Sequence, residues 1–266
     1  MSARRVDAYL ERIGYDGSRA RGPDALRRVH RAHMLAVPFE NLDIRLGVPI
    51  ELSVPAFREK IVGRRRGGFC YELNGLFAWL LVELGYRVTL LSGRVFGESL
   101  LSPEFDHLLL LVQLDRPWIA DVGFGDSFLE PIELRPGSDA VQHGARYAVV
   151  AEGHGWTLRR QRPDGAWEAQ YAFSLTPRRL DEFAPRARYH QTSPESHFTQ
   201  RTVCSRATET GRITLSNDRY IVTEGARREE REVRTAEEYR EILARDFGMD
   251  PGGLAVERLM GPRRSD

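Results

Sequence analysis

Lysine occurs once in these 266 residues, at Lys60, so the chain's cationic nitrogen is almost entirely guanidinium. A Schiff base with pyridoxal phosphate would have to use that one side chain, which lies in a helical pattern from Pro55 to Val62 without a pocket motif. Cysteine occurs twice, at Cys70 and Cys204, too seldom for a disulfide framework. Charge of one sign is also missing: 39 basic residues against 38 acidic ones leave +1, so no bulk attraction to nucleic acid or membrane is expected. No apolar run approaches the roughly 18 residues that span a bilayer, and residues 1–7 lack the apolar core of a signal peptide. These absences favour a protein of the reducing cytoplasm. There is no Gly-x-x-x-x-Gly-Lys-Ser/Thr loop and no His-Glu-x-x-His. His30 and His33 are three apart on a helix with no third ligand, so they read as helix-surface histidines. His143, His154, His190 and His197 show no ligand spacing, and no metal site is expected.

What is present centres on Arg66-Gly67-Gly68-Phe69-Cys70-Tyr71-Glu72-Leu73-Asn74. Leu73, Leu76, Phe77, Leu80, Leu81 and Leu84 recur at helical spacing, Trp79 and Val82 widen the stripe, and Gly85 supplies a stop. Cys70 therefore stands at a helix start, off the apolar face. Free N–H groups and the helix dipole there favour a thiolate, and Arg64, Arg65 and Arg66 are expected to add positive charge nearby. Cys204 is expected to pack in a strand.

Downstream, His107 opens the apolar run Leu108–Val112, and Trp118–Val122 carries Asp121. Both read as strands of a hairpin around the turn at Asp115-Arg116-Pro117. With a turn centred near 114 and 115, His107 and Asp121 sum to 228, close to twice that centre, so the hairpin is expected to bring them towards each other across adjacent strands. An acid among Ile119, Ala120 and Val122 needs a partner, and a histidine acting as base needs a carboxylate on its second nitrogen. Cys70, His107 and Asp121 are the candidate catalytic set.

The layout divides the chain into three blocks. Residues 1–85 read as helical, at 4–13, 24–36, 54–63 and 70–84. Residues 86–192 are mainly strands, at 87–95, 107–114, 118–122, 146–151, 156–162 and 166–171, with turns at 136–139 and Pro163-Asp164-Gly165 and a helix-compatible stretch near 176–185. Residues 193–266 mix strands near 200–207, 211–216 and 218–223 with a helix from Thr235 to Phe247. The alternating charges of 227–232 read as a solvated edge or loop.

The segments VPFENLDI (37–44), RRRGGFCYELNGLFAWLLVELGY (64–86), LSGRV (91–95), HLLLLV (107–112) and ADVGFG (120–125) resemble the arylamine N-acetyltransferases, with a weaker match at SPESHFTQ (193–200). Ala120 and Leu73 depart from the family's usual residue types without removing a catalytic group. The resemblance implies an α+β fold of helical bundle, β-barrel and α/β lid around a cysteine-protease-like core. It implies acetyl transfer from acetyl-CoA, a co-substrate and not a tightly bound cofactor, to a small aromatic amine or hydrazine through an acetyl-cysteine. It also places Phe124 and Gly125 beside substrate and coenzyme and makes Glu40 and Arg66 a supporting ion pair; Phe69 and Tyr71, which flank the nucleophile, are likewise expected to bind substrate, as rings on which an aromatic acceptor can stack. A homo-oligomer is left open. So are two other activities: an amide synthase that releases a polyketide chain onto an aryl amine, and a cysteine-dependent thioesterase or hydrolase.

Overall fold

The computed structural model describes residues 2–97, 100–142, 144–162 and 164–260; His143 and Pro163 lie outside them. The chain begins with α1 (Ser2–Arg12) and α2 (Pro23–Ala36), then a two-residue strand β1 (Phe39–Glu40) and α3 (Leu42–Leu46). Next come α4 (Val54–Arg58), a π-helical turn at Glu59–Gly63, and α5 (Cys70–Glu83). Ser53 caps α4 by accepting from the Ala56 N–H at 3.3 Å. The π-helical turn replaces the regular helix expected through 63, and it carries Lys60 into the interior. The α5 stripe is buried from Leu73 to Leu81 against α1, α2 and one face of the following sheet. Val82, expected in that stripe, is 54 % exposed, because it falls on the solvent side of the last turn.

Eight antiparallel strands follow: β2 (Arg87–Val95), β3 (His107–Gln113), β4 (Pro117–Ala120), β5 (Ile132–Glu133), β6 (Ser138–Gln142), β7 (Ala145–Glu152), β8 (Gly155–Gln161) and β9 (Trp167–Phe173). Their order in the sheet is β5-β4-β3-β2-β9-β8-β7-β6. The two end strands are separated in the chain only by residues 134–137, so the sheet nearly closes into a barrel. Its interior holds Leu91, Leu109, Ile119, Phe128, Tyr147, Leu158 and Tyr171. Leu110, Val112, Trp118 and Ala120 instead join the helical core. The unbroken apolar run of β3 is thus explained by burial on both faces, each fully buried Leu contributing roughly 1.5–3 kcal/mol. Residues 138–139, expected in a turn, open β6; its mostly polar alternation lacks the apolar signal of a strand.

The helical stretch expected near 176–185 is displaced. A 3-10 turn at Leu180–Phe183 leads into α6 (Ala184–Thr192), because Pro185 sits in the first helical turn, where its missing N–H costs nothing. After α7 (His197–Gln200), strands β10 (Val203–Ala207), β11 (Gly211–Ser216), β12 (Arg219–Glu224) and β13 (Arg227–Glu232) form a second sheet in the order β1-β10-β11-β12-β13. The charged run 227–232 is the fully exposed edge strand of that sheet, a composition that discourages further strand pairing. Helix α8 (Ala236–Arg245), capped by Thr235 on the Glu238 N–H at 3.1 Å, covers a core in which Cys204 is wholly buried.

Candidate active site

Cys70 is the first residue of α5 and is 4 % exposed. Glu72 closes the helix start by accepting from the Phe69 N–H at 3.1 Å. The glycines before it serve close approach: a Cβ on Gly67 would lie 2.1 Å from the Pro38 carbonyl oxygen, and Glu40 N–H bonds the Gly68 carbonyl at 2.9 Å. The Val-Pro-Phe-Glu-Asn segment and the cysteine turn are thereby sewn together.

Arg66, one of three arginines expected to stabilise the thiolate, is instead the partner of Glu40 that the family resemblance implied. Arg66 is buried, donating to Glu40 at 3.0 Å and to Asp43 at 3.0 Å. Lys60 joins the same cluster, 2.9 Å from Asp43 and 3.0 Å from Glu72. These cations are spent on buried carboxylates. Burial pushes the Cys70 thiol well up, opposed by backbone hydrogen bonds at Leu108 and Tyr71 and reinforced by the charges of Asp106 and Asp121. Burial thus works against a lone thiolate at this helix start.

His107 and Asp121 meet directly, with Nε2 to Oδ2 at 2.8 Å and both residues buried. The hairpin register differs from the expectation. Leu110 pairs with Ala120 and Gln113 with Pro117, so the turn is centred on 115 and Pro117 opens β4 instead of closing the turn. In that register position 123 faces His107. Asp121 reaches the imidazole diagonally, just past the end of β4. Its carboxylate also accepts from Asn74 Nδ2 and from the Gly123 N–H, each at 2.9 Å. Burial would raise Asp121, but the His107 charge and these hydrogen bonds outweigh it and hold the acid below its ordinary range. Since Asp121 occupies Nε2, Nδ1 is the ring nitrogen left for a proton donor in the cavity.

Asn74 was not singled out from sequence, although it stands one helical turn after Cys70. It also donates to the Leu108 carbonyl at 2.6 Å and accepts from the Val122 N–H at 2.9 Å. One side chain thus joins α5, β3 and the segment after β4. A polar residue inside an apolar helix was the available signal. Gly123 lets that segment lie on the nucleophile's helix: a Cβ there would sit 2.8 Å from Cys70 Cα and 2.6 Å from Asn74 Nδ2.

Cys70, His107, Phe124 and Gly125 line one cavity of about 550 Å³, a size suited to a small organic ligand. Phe124 meets the His107 ring edge-on at 5.2 Å, and Tyr171 lies 5.0 Å from it on another side. Phe69 and Tyr71 do not line this space. They are fully buried, pack edge to face at 4.9 Å, and the Tyr71 hydroxyl donates to the Phe105 carbonyl at 2.8 Å. The far wall comes from Asp106, His190, His197, Phe198 and the second sheet. His190 bonds Asp106 at 3.0 Å and Ser196 at 3.1 Å, an arrangement that sequence spacing does not reveal. His30 and His33, expected on the surface, are wholly buried against Phe77 because α2 turns that face inward. Among the described residues no cluster of three or more His, Cys, Asp or Glu could hold a metal ion.

A family model described as N-acetyltransferase matches residues 24–252. The arylamine N-acetyltransferase of Mycolicibacterium smegmatis is 34% identical over 94% of each chain. Human arylamine N-acetyltransferase 1 is 32% identical over 98% of each. Among solved structures, the Salmonella typhimurium arylamine N-acetyltransferase superimposes with a TM-score of 0.89 at 32% identity, covering 94% of this chain and 93% of that one. The Mycobacterium marinum arylamine N-acetyltransferase in complex with CoA gives 0.88 at 31% identity over 96% of each.

Proposed function

The chain belongs to the arylamine N-acetyltransferase family, and on that footing we propose that Cys70, His107 and Asp121 carry an acetyl group from acetyl-CoA to the nitrogen of an arylamine or arylhydrazine. The observation that carries this reading is the buried His107–Asp121 pair, 2.8 Å apart, whose His107 lines the same cavity as Cys70 at the start of α5.

His107 Nδ1 takes the Cys70 proton, and Asp121 on Nε2 fixes the tautomer and balances the imidazolium. The thiolate attacks the thioester carbonyl carbon, a new C–S bond forms, and the bond to the CoA sulfur breaks. The imidazolium returns its proton to the departing CoA thiolate. Burial that penalises a lone thiolate suits the neutral acetyl-cysteine which replaces the ion pair. The amine then attacks this thioester, the bond to Cys70 Sγ breaks, and His107 removes the nitrogen's proton. Phe124 and Gly125 would border the acceptor and coenzyme; Phe69 and Tyr71, packed behind Cys70, would support its helix.

In this reading the nucleophile belongs to block 1–85, the His–Asp pair to 86–192, and the outer wall to 193–266 apart from Asp106 and His190 of the middle block. Acetyl-CoA is a co-substrate without a resident cofactor. Among the described residues no helix is long and apolar enough to cross a membrane, and we assign the protein to the cytoplasm. Initial-rate kinetics test the mechanism. Parallel lines in acetyl-CoA and a small arylamine are expected, with slow CoA release until amine is added. Equal CoA release with and without a broad amine panel would show a thioesterase instead.

A further inference from the structure

One buried titratable side chain beside the site is not used by the acyl-transfer steps. His30 of α2 has no exposed surface. Its Nδ1 lies 2.7 Å from the Leu129 carbonyl oxygen, and its Nε2 lies 3.1 Å from the Asp121 backbone nitrogen. Chemistry fixes both roles. A carbonyl oxygen can only accept and a backbone N–H can only donate, so Nδ1 carries the proton and Nε2 is bare. The two partners are the first and last residues of the segment 121–129, which includes Gly123, Phe124 and Gly125 of the cavity wall. Phe128 of that segment stacks on the imidazole at 5.7 Å, and Phe77 of α5 meets it edge-on at 5.6 Å.

We propose that His30 is a positioning residue: a neutral imidazole that staples both ends of the 121–129 loop to α2 and thereby sets the reach of Asp121 to His107. The inference rests on the reading of Asp121 as the partner of His107. Two ends of one loop held by one rigid ring leave the Asp121 main chain little freedom, while Asn74 and Gly123 fix its carboxylate. The titratable groups facing His30 are Asp121 from the end of β4 and His33 one turn along α2; Phe77 and Phe128 supply apolar faces. Burial lowers the proton affinity of His30, and its pKa falls to about 4 despite the opposing Leu129 and Asp121 contacts. The neutral staple therefore persists at the pH where the thiolate–imidazolium pair must form. A second ring proton would point at the Asp121 N–H and break one end.

The test reads the ring and the thiol separately, without acetyl-CoA. Long-range proton–nitrogen NMR of the intact protein should show His30 neutral and protonated on Nδ1 from pH 8 to pH 5. A ring protonated on Nε2, or one titrating at an ordinary histidine pKa, overturns the proposal. Iodoacetamide alkylation of Cys70 across pH, beside thermal melting, should then compare parent, His30→Leu and His30→Gln. Leu should slow alkylation at neutral pH about tenfold or more, the scale expected when a supporting group is misplaced. Gln, whose amide offers an N–H donor at one atom and a carbonyl acceptor at the other, should recover most of that rate. If Leu merely lowers the melting temperature while its pH profile overlays the parent's, His30 only fills the core and the inference fails. If Leu does not fold, a Gln variant that folds but reacts more slowly than Leu129- and Asp121-bonded parent by the full factor would count against the staple. A parent whose Cys70 shows no enhanced alkylation would overturn the triad reading, and the NMR result would still decide the tautomer.

Discussion

Lys60, the chain's one lysine, lies 3.0 Å from Glu72, and Glu72 is the residue that closes the start of the helix bearing Cys70. The nucleophile's helix is thus anchored through a buried charge cluster in which Lys60 and Arg66 face Glu40, Asp43 and Glu72. Removing one cation strands carboxylates in a low-dielectric interior. Lys60→Met should cost about 3–5 kcal/mol of stability, the range for breaking a buried ion pair from one side. Chemical denaturation measures it, and a loss within experimental error would show that the cluster is dispensable.

Glu72 gives the same cluster a pH signature. Burial raises its pKa to about 7, against the opposing pull of Lys60, from an ordinary value near 4.5. The folded chain therefore binds more protons at this group than the unfolded chain does between those values. Its contribution to stability is complete below about 4.5 and declines as pH rises to about 7. Glu72→Gln keeps an acceptor for the Phe69 N–H and removes that decline. The variant's melting temperature should gain on the parent's as pH goes from 5 to 7; a constant difference would mean that Glu72 is ionised throughout.

Much of this arrangement was readable from residues alone. The Cys70 helix and strand β3 carry strong periodic or continuous apolar signals, and Asp121 among apolar neighbours announced a partner. The polar residues that finish the site did not announce theirs. The bonds of Asn74 to Leu108, His190 to Asp106 and His30 to Leu129 span 34, 84 and 99 positions, and no local pattern encodes such pairings. Arg66 misled for the same reason: its proximity to Cys70 in sequence said nothing of Asp43, and only the family resemblance pointed to Glu40, the two acids that claim it in space. Pro117 shifted the hairpin register because it could begin a strand as readily as end a turn.

Acetyl-CoA alone should leave one acetyl group on Cys70 and none on Cys204. Both thiols are buried, but Cys70 lines the cavity with His107 whereas Cys204 is sealed beside Met249 at 3.7 Å. Peptide mass spectrometry after rapid quenching reads the position. Label on Cys204, or on neither thiol, contradicts the assignment.

Asp121→Asn should fold yet react poorly. The amide can occupy the same space, but it removes the charge opposite the imidazolium and can present a donor to His107 Nε2, favouring the wrong tautomer. A loss of about 10⁴ in kcat has the scale seen when a triad carboxylate is so replaced. Cys70 alkylation at neutral pH should fall in parallel. Unchanged alkylation across pH would reduce Asp121 to a structural acid.

Gly123→Ala tests whether the site depends on contact between the loop and the nucleophile's helix. Its added methyl would stand 2.8 Å from Cys70 Cα, 3.0 Å from the Cys70 carbonyl oxygen and 2.6 Å from Asn74 Nδ2. Backbone cannot yield at the first two, so the segment after β4 must lift from α5. That movement lengthens the Asn74 bonds to Asp121 and Val122 and carries Asp121 away from His107. An error of about 1 Å in such a constellation costs on the order of a hundredfold in rate. The variant should therefore lose kcat far more than it loses affinity for acetyl-CoA, since the outer cavity wall on the second sheet is untouched. Single-turnover acetylation of Cys70 separates the two effects. A variant that acetylates at the parent's rate would mean the loop and helix can part without disturbing the triad.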